Sequence, residues 1–189
     1  NPSQAEVVNI LQHNTQVLQG QIEALLRFNA AAFEARQLKR ERTDLREVVE
    51  EQVDMQRLHW QSHALTVRIE GPSLVLPIDR EKMASALGNL LSNAIRHSPR
   101  GGHIRLIVSD RPGLACIDII DQGHGVASAD RDRIFEPFYR GERQPEDAVR
   151  GTGIGLSIVH EYIVAHGGRI TLLPDSTSAH FRIELPHAH

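Results

Sequence analysis

Apolar residues recur at alternating intervals of three and four along residues 3–40, a segment with no internal proline and a single glycine, Gly20. This a/d spacing predicts one long amphipathic helix with an apolar seam. Ser3 and Glu6 have the spacing of a capping box at its start. One helix cannot cover its own seam, so we expect a partner helix or a partner chain. The seam positions are Val8, Leu11, Thr15, Leu18, Ile22, Leu25, Asn29 and Ala32.

Charged and polar residues follow this helix over residues 37–46. The pattern is typical of a solvated helix end that runs into a linker, and we prefer this interpretation to a binding patch. It divides the chain into residues 1–42 and residues 43–189.

The second part alternates between helical and strand patterns. Helices are predicted at residues 45–63, 79–98 and 154–166, and strands at residues 65–69, 74–78, 104–108, 114–120, 170–173 and 180–185. Asp79 has the position of an N-cap. Because the helices and the hairpin-joined strands form separate groups, the order favours an α+β two-layer sandwich over a doubly wound parallel sheet.

Composition excludes some classes of function. Lys and Arg total 21 and Asp and Glu total 24, a net charge of −3, which argues against a protein that binds duplex nucleic acid through massed positive charge. No apolar run has the ~20 residues that a membrane span needs, so we expect no direct membrane contact. Cys116 stands alone, which is typical of a reducing compartment. The chain does not begin with Met, so we expect it to be a fragment of a longer protein.

The predicted helix at residues 79–98 carries Asn89, Asn93, Arg96 and His97 on one face. An amide oxygen is a neutral, hard ligand that suits Mg²⁺, and Arg96 and His97 have the chemistry to contact phosphates. The alternative is an ordinary exposed polar helix face.

A second group of residues, Asp121-Gln-Gly123-His-Gly125, follows directly after a predicted strand. A carboxylate at this position can accept a hydrogen bond from the exocyclic amine of adenine, whereas guanine has an acceptor at that edge. The two glycines let the backbone approach a flat base. A simple glycine-rich turn remains the alternative.

Gly151, Gly153 and Gly155 open the last predicted helix, where converging backbone N–H groups form an anion site. The spacing is neither the dinucleotide fingerprint nor a P-loop. Between the two glycine groups, residues 134–140 contain two phenylalanines that can pin a segment to the domain, followed by Arg140, which can face a phosphate. The alternative for residues 134–140 is a hydrophobic plug with a surface arginine.

In their order and spacing these motifs resemble the ATP-binding domain of bacterial sensor histidine kinases, a group shared with Hsp90, DNA gyrase and MutL. Residues 89–97 match the N box, residues 121–125 the G1 box, residues 134–140 the F box and residues 151–156 the G2 box. The resemblance covers about residues 45–186 and is similar in detail to the proteobacterial QseE or GlrK subgroup. It implies the Bergerat (GHKL) fold, a mixed sheet covered by helices on one face.

The resemblance also implies roles for individual residues, with ATP and Mg²⁺ as cofactors. Asn93 ligates Mg²⁺ and Asn89 supports the site, whereas Arg96 and His97 contact phosphates or ribose. Asp121 reads the adenine amine beside Gly123 and Gly125. Arg140 contacts the terminal phosphate, and the phosphates are wrapped by Gly151, Gly153, Ile154, Gly155 and Leu156. Where the family often has Gly-Thr, this chain has Ser178-Ala179, so no adenine-contacting threonine is assigned.

Finally, residues 1–42 resemble the second helix of the kinase dimerisation and phosphotransfer hairpin. His13 has no acidic neighbour and no nearby proline, so we expect the phosphoacceptor histidine before residue 1 and no autophosphorylation by this chain alone. The implied partners are a response-regulator receiver domain and a second copy bound through the N-terminal helix. The implied location is the cytoplasmic side of a bacterial inner-membrane protein. The alternatives are a pseudokinase-type dimerisation and regulator-binding module, or another GHKL-superfamily ATPase.

Overall fold

The structure, a computed structural model, describes residues 2–137, 139, 155–174 and 178–188. Most elements predicted from the pattern are confirmed, with ends shifted by a few residues. In these residues the order is α1 (Pro2–Ala35), β1 (Glu41–Asp44), α2 (Leu45–Met55), α3 (Arg57–Ser62), β2 (Thr66–Glu70), β3 (Val75–Ile78), α4 (Arg80–His97), β4 (His103–Arg111), β5 (Leu114–Ile120), α5 (Gly155–Ala165), β6 (Arg169–Leu172) and β7 (His180–Pro186).

The long N-terminal helix α1 is confirmed, but it ends at Ala35 instead of continuing to residue 40. The backbone N–H of Lys39 donates to the Asp79 carboxylate at 2.9 Å and so leaves the helical path. The predicted seam is open to solvent, with Leu11 59% exposed and Leu18 57% exposed. No helix among the described residues is both long enough and apolar enough to span a membrane.

The segment after α1 differs from the prediction. Residues 41–44 form β1, which pairs antiparallel with β3 from Glu41 opposite Ile78 to Asp44 opposite Val75. A solvated helix end is therefore the wrong interpretation for these residues, because pairing with β3 satisfies their backbone groups and buries Thr43. The predicted boundary after residue 42 falls inside β1.

The predicted helix at residues 45–63 is two helices, α2 and α3, which meet at Gln56. Gln56 turns inward, and its side-chain amide donates to the carbonyl of Gly88 in α4 at 2.9 Å. The indole N–H of Trp60 donates back to the Val53 carbonyl at 2.9 Å. These contacts with α4 and across the break fix the bend.

The five-stranded sheet has the order β2-β4-β5-β7-β6. β2 and β4 are parallel and the other pairs are antiparallel, so the sheet is mixed, as predicted. Alternate residues of each strand point inward, such as Leu106, Ile117 and Ile183, and pack into the apolar core with α4 and α5. This arrangement confirms the two-layer sandwich.

The other face of the sheet is polar. Asp118 projects from the centre of β5 on this face, and its carboxylate accepts the Nε–H of Arg182 at 2.7 Å. The same Oδ1 lies 2.6 Å from Nε2 of His180. Cys116 is buried on the same side of β5. Asp118 is therefore an internal structural partner on the face opposite to the helices.

Candidate nucleotide-binding site

The helix α4 carries the amide residues of the N box. Asp79 caps its start by accepting the Lys82 N–H at 3.1 Å. One side of the helix is buried in the core, which places Asn89 and Asn93 at its half-buried margin. Neither amide side chain has a hydrogen-bonding partner among the residues that the structure describes. Both are thus available to an incoming ligand.

The last turn of α4 brings two cationic or titratable groups to the same end. Arg96 is exposed and His97 is half-buried. Burial lowers the pKa of His97 below its usual 6.5, and the charges of Arg96 and His124 act in the same direction. His97 is therefore predominantly neutral at pH 7, and Arg96 supplies the positive charge at this end.

Asp121, directly after β5, is only 2% exposed. Its Oδ1 accepts the backbone N–H of Gly123 at 2.8 Å and that of Ala179 at 3.4 Å. Neither of these bonds uses Oδ2. Burial raises the pKa of Asp121, partly offset by the two hydrogen bonds. A buried carboxyl oriented by two backbone donors is a candidate recognition group.

The G1 turn contacts the end of α4. A Cβ on Gly123 would lie 2.6 Å from the His97 carbonyl oxygen, so only glycine allows this approach. Gly125 has a φ of +68°, in the left-handed region that favours glycine. The side chain of Gln122 accepts the His103 N–H at 2.9 Å and ties the turn to β4. Asp121 and the N box are thereby held at one edge of the sandwich.

The F-box segment is anchored through Phe135. Its ring centroid lies 5.7 Å from that of His160 on α5 and 6.3 Å from that of Phe181 on β7. Ile134 is also buried. The predicted pinning role is supported for Phe135, whereas Phe138 and Arg140 lie outside the described residues.

The G2 box is only partly described. Gly155 and Leu156 begin α5, and Leu156 packs against the core. α4 and α5 lie side by side, so the start of α5 belongs to the same helical layer as the N box. Gly151, Gly153 and Ile154 lie outside the described residues.

Two contributions were missed by sequence reasoning. The Ala179 N–H holds the Asp121 carboxylate, and the Ala179 carbonyl accepts the Asp121 N–H at 3.0 Å. Both groups are backbone atoms, which leave no signal in residue type. Gln122 was named only as a spacer in G1, although its amide has a fixed structural partner.

The site and fold are matched by known proteins. Residues 78–189 match the family model described as Histidine kinase-, DNA gyrase B-, and HSP90-like ATPase. The chain belongs to this family. It is 33% identical to the sensor histidine kinase GlrK of Escherichia coli K12 over 186 residues, 98% of this chain and 39% of that protein. The sensor histidine kinase QseE of Escherichia coli O157:H7 is 32% identical over the same coverage.

Solved structures of histidine kinases have the same fold. The mycobacterial sensor histidine kinase MprB superposes with a TM-score of 0.71 at 26% identity, over 77% of this chain and 97% of that one. Full-length ShkA in complex with AMPPNP gives 0.77 at 23% identity, over 98% and 39%. ThkA in complex with the response regulator TrrA gives 0.73 at 20% identity, over 97% and 51%. The last two likenesses show the fold alone.

These matches confirm the resemblance drawn from the motifs. The chain carries the ATP-binding catalytic region of the sensor histidine kinases of two-component systems. It spans 39% of the length of the GlrK and QseE relatives.

Proposed function

We propose that this chain binds Mg·ATP and presents its γ-phosphate to a histidine on a separate helix, for relay to an aspartate on a response regulator. The observation that carries the proposal is the buried carboxylate of Asp121, held at the edge of the sandwich where the G1 turn meets the N-box helix. The family and its sensor-kinase relatives support the reaction class.

Adenine recognition follows from the hydrogen bonds of Asp121. Because Oδ1 already accepts from Gly123 and Ala179, Oδ2 is the oxygen left to accept from the adenine amine. A guanine would present a carbonyl oxygen to this carboxylate and be repelled.

The phosphate and metal assignments rest on the N-box face and on the resemblance. The amides of Asn89 and Asn93 are half-buried and have no hydrogen-bonding partner among the described residues. They fit a hard cation that also takes oxygens from phosphates, with Asn93 as the Mg²⁺ ligand. Bound Mg²⁺ would neutralise charge on the transferring phosphoryl group. Arg96 and His97 would contact phosphate or ribose oxygens. Arg140 would face the terminal phosphate, and the backbone of Gly151, Gly153, Ile154, Gly155 and Leu156 would enclose the phosphates.

Catalysis by such a site is positioning and charge neutralisation, since the attacking nitrogen comes from another helix. We assign α1 (Pro2–Ala35), which lies within the predicted residues 1–42, to the second helix of a dimerisation and phosphotransfer hairpin, and the chain from β1 onward to the ATP-binding catalytic domain. The exposed seam of α1 supports this assignment, because a partner helix and a second copy would cover it. We place the acceptor histidine on the preceding helix.

We further propose a response-regulator receiver domain as the partner, supported by the ThkA complex with TrrA. The parent would be anchored in a bacterial inner membrane with this region on the cytoplasmic side, as the resemblance to sensor kinases implies. A pseudokinase that binds ATP without transferring phosphate is the second candidate, because the described residues of this chain include nucleotide-site groups but the acceptor is assigned elsewhere.

Calorimetric titration with ADP and GDP, with and without Mg²⁺, tests the nucleotide site. The proposal predicts binding of ADP, discrimination against GDP and tighter binding of ATP when Mg²⁺ is present. Equal affinity for ADP and GDP would refute the role of Asp121. Transfer of phosphate to an added acceptor hairpin separates the kinase from the pseudokinase, because both bind ATP.

A further inference from the structure

A buried histidine lies directly after α5, at the opposite end of this helix from Gly155. His166 follows α5 and is 3% exposed. Its Nδ1 lies 2.6 Å from the Tyr162 carbonyl oxygen, and its Nε2 lies 3.0 Å from the backbone nitrogen of Asp79. A carbonyl can only accept and an amide N–H can only donate, so Nδ1 carries the proton and Nε2 carries none. The contacts therefore require a neutral ring in one tautomer.

The residue that His166 contacts anchors the linker after α1. The Oδ2 of Asp79 accepts the Lys39 N–H at 2.9 Å and the Lys82 ammonium at 3.1 Å, while Oδ1 caps α4. Lys82 also reaches the Gln37 carbonyl at 3.5 Å. Asp79 thus joins the start of α4, the end of α5 and the linker in one polar cluster, in which Asp79 and His166 are buried.

An apolar contact lies beside this cluster. Ala31 and Ala35 of α1 are buried against Tyr162 of α5, with Ile158 and Ala165 at the margin. The alanines let the two helices approach closely. At about 100° per residue, this face of α1 lies roughly 130° around the helix from the exposed seam. Docking on α5 therefore leaves the seam open for another helix.

We propose that His166 and Asp79 form a proton-controlled latch. Neutral His166 supports Asp79 and keeps the linker and α1 docked on α4 and α5, and protonation of His166 releases them. A proton on Nε2 would face the Asp79 N–H, replacing a hydrogen bond by two opposed donors. The latch is independent of the kinase proposal, since it concerns only how α1 is held.

The surrounding charges favour release. Three charged groups face His166: the carboxylate of Asp79, which favours an imidazolium, and the cations Lys82 and Arg40, which disfavour it. The Asp79 carboxylate already accepts from Lys82 and from the linker. An imidazolium here would be a third positive charge beside Lys82 and Arg40, with the carboxylate of Asp79 as the one negative charge that faces the ring.

Burial lowers the pKa of His166 below its usual 6.5, with the Tyr162 carbonyl as a partial opposing effect. The docked state thus excludes a proton that the free ring binds, and docking weakens as the pH falls below about 6.5. For one proton, the ratio of docked to released chains falls by up to about tenfold per pH unit, until the pH reaches the docked pKa.

Distance measurement by pulsed electron spin resonance on the full chain tests the latch. Spin labels at the exposed positions Glu23→Cys on α1 and Gln61→Cys on α3 report docking, and excess unlabelled chain restricts the signal to pairs within one molecule. Cys116 is buried and is left unchanged. The proposal predicts one narrow distance population at pH 8 and a second, growing population between pH 6.5 and pH 5.5.

Two variants and a control test whether His166 causes the pH response. His166→Gln keeps a neutral acceptor and should remove the pH response, whereas His166→Ala should show the second population even at pH 8. His13→Gln, on the exposed part of α1, should respond like the unmodified chain. An unchanged distance from pH 8 to pH 5.5 in the unmodified chain would overturn the proposal even if both His166 variants fail to fold. A pH response that persists in His166→Gln would also overturn it.

Discussion

Replacing Asp121 by asparagine changes one hydrogen-bonding group in a buried site with little change in volume. The N–H groups of Gly123 and Ala179 both donate to Oδ1, so the asparagine oxygen must occupy that position. The side-chain NH₂ then takes the place of Oδ2 and presents donors to the adenine amine, which is itself a donor. The flipped amide would instead oppose the Gly123 N–H. Each orientation loses a hydrogen bond that aspartate makes.

The size of the effect follows from the charge of the lost acceptor. A hydrogen bond to an ionised group contributes about 1.5–3 kcal/mol, so ADP should bind about 10- to 150-fold more weakly. Titration calorimetry with ADP measures this directly. Asp118→Asn is the matched control, because Asp118 is a buried carboxylate on the opposite face of the sheet. Unchanged ADP affinity in Asp121→Asn, or an equal loss in Asp118→Asn, would refute the reasoning.

The same substitution should leave the stability of the empty protein unchanged or raise it, although it weakens ADP binding. Burial raises the pKa of Asp121 above its usual 3.8, so the native state favours the protonated carboxyl. This contribution to folding is fully present below pH 3.8 and is lost as the pH rises through the native pKa. The empty Asp121→Asn protein should therefore melt at the same or a higher temperature at pH 7. A clearly lower melting temperature of this variant would mean that its weak ADP binding results from unfolding.

The remaining predictions concern the metal and the G1 turn. Asn93→Ala should reduce the gain in ATP affinity caused by Mg²⁺ by about tenfold, the effect of one lost ligand contact of about 1.4 kcal/mol. Asn29→Ala, on the exposed seam, should leave this gain unchanged. Equal Mg²⁺ dependence of ATP binding in the two variants, measured by calorimetry, would contradict the role of Asn93. Gly123→Ala should cost about 1–3 kcal/mol of stability in urea titration, because its Cβ would lie 2.6 Å from the His97 carbonyl oxygen. A Cβ on Gly20 would have nothing within 4 Å, so Gly20→Ala should instead stabilise α1 by about 0.5–1 kcal/mol. Similar losses of stability in the two variants would show that the G1 contact is unimportant.

Periodicity predicted the elements whose apolar faces form the core. The alternation in β4 and β5 and the apolar side of α4 reflect burial, so they are readable from residue type. The strand β1 was not predictable in this way, because its sequence Glu-Arg-Thr-Asp has no apolar alternation and forms by pairing with β3. The break at Gln56 and the end of α1 likewise depend on distant partners, the Gly88 carbonyl and Asp79.

The nucleotide site divides in the same manner. Its candidate side-chain groups were identifiable because Asp121, Asn93 and the glycines occur in a characteristic order, and their roles in nucleotide binding stay predictions. The backbone N–H of Ala179 and the cluster around His166 were not, since they depend on which segments meet after folding. Residue type alone identifies what a site can do, whereas the contacts decide which atoms do it.

Phosphoryl transfer in trans tests the central claim most directly. The chain is incubated with Mg²⁺ and γ-labelled ATP, alone and with a separate hairpin fragment that carries an acceptor histidine. The account predicts acid-labile, base-stable label on the hairpin, none on this chain, and strongly reduced label when Asp121→Asn replaces the unmodified chain. Label on His13 of the isolated chain, or no transfer to the hairpin while ATP is bound, would contradict it.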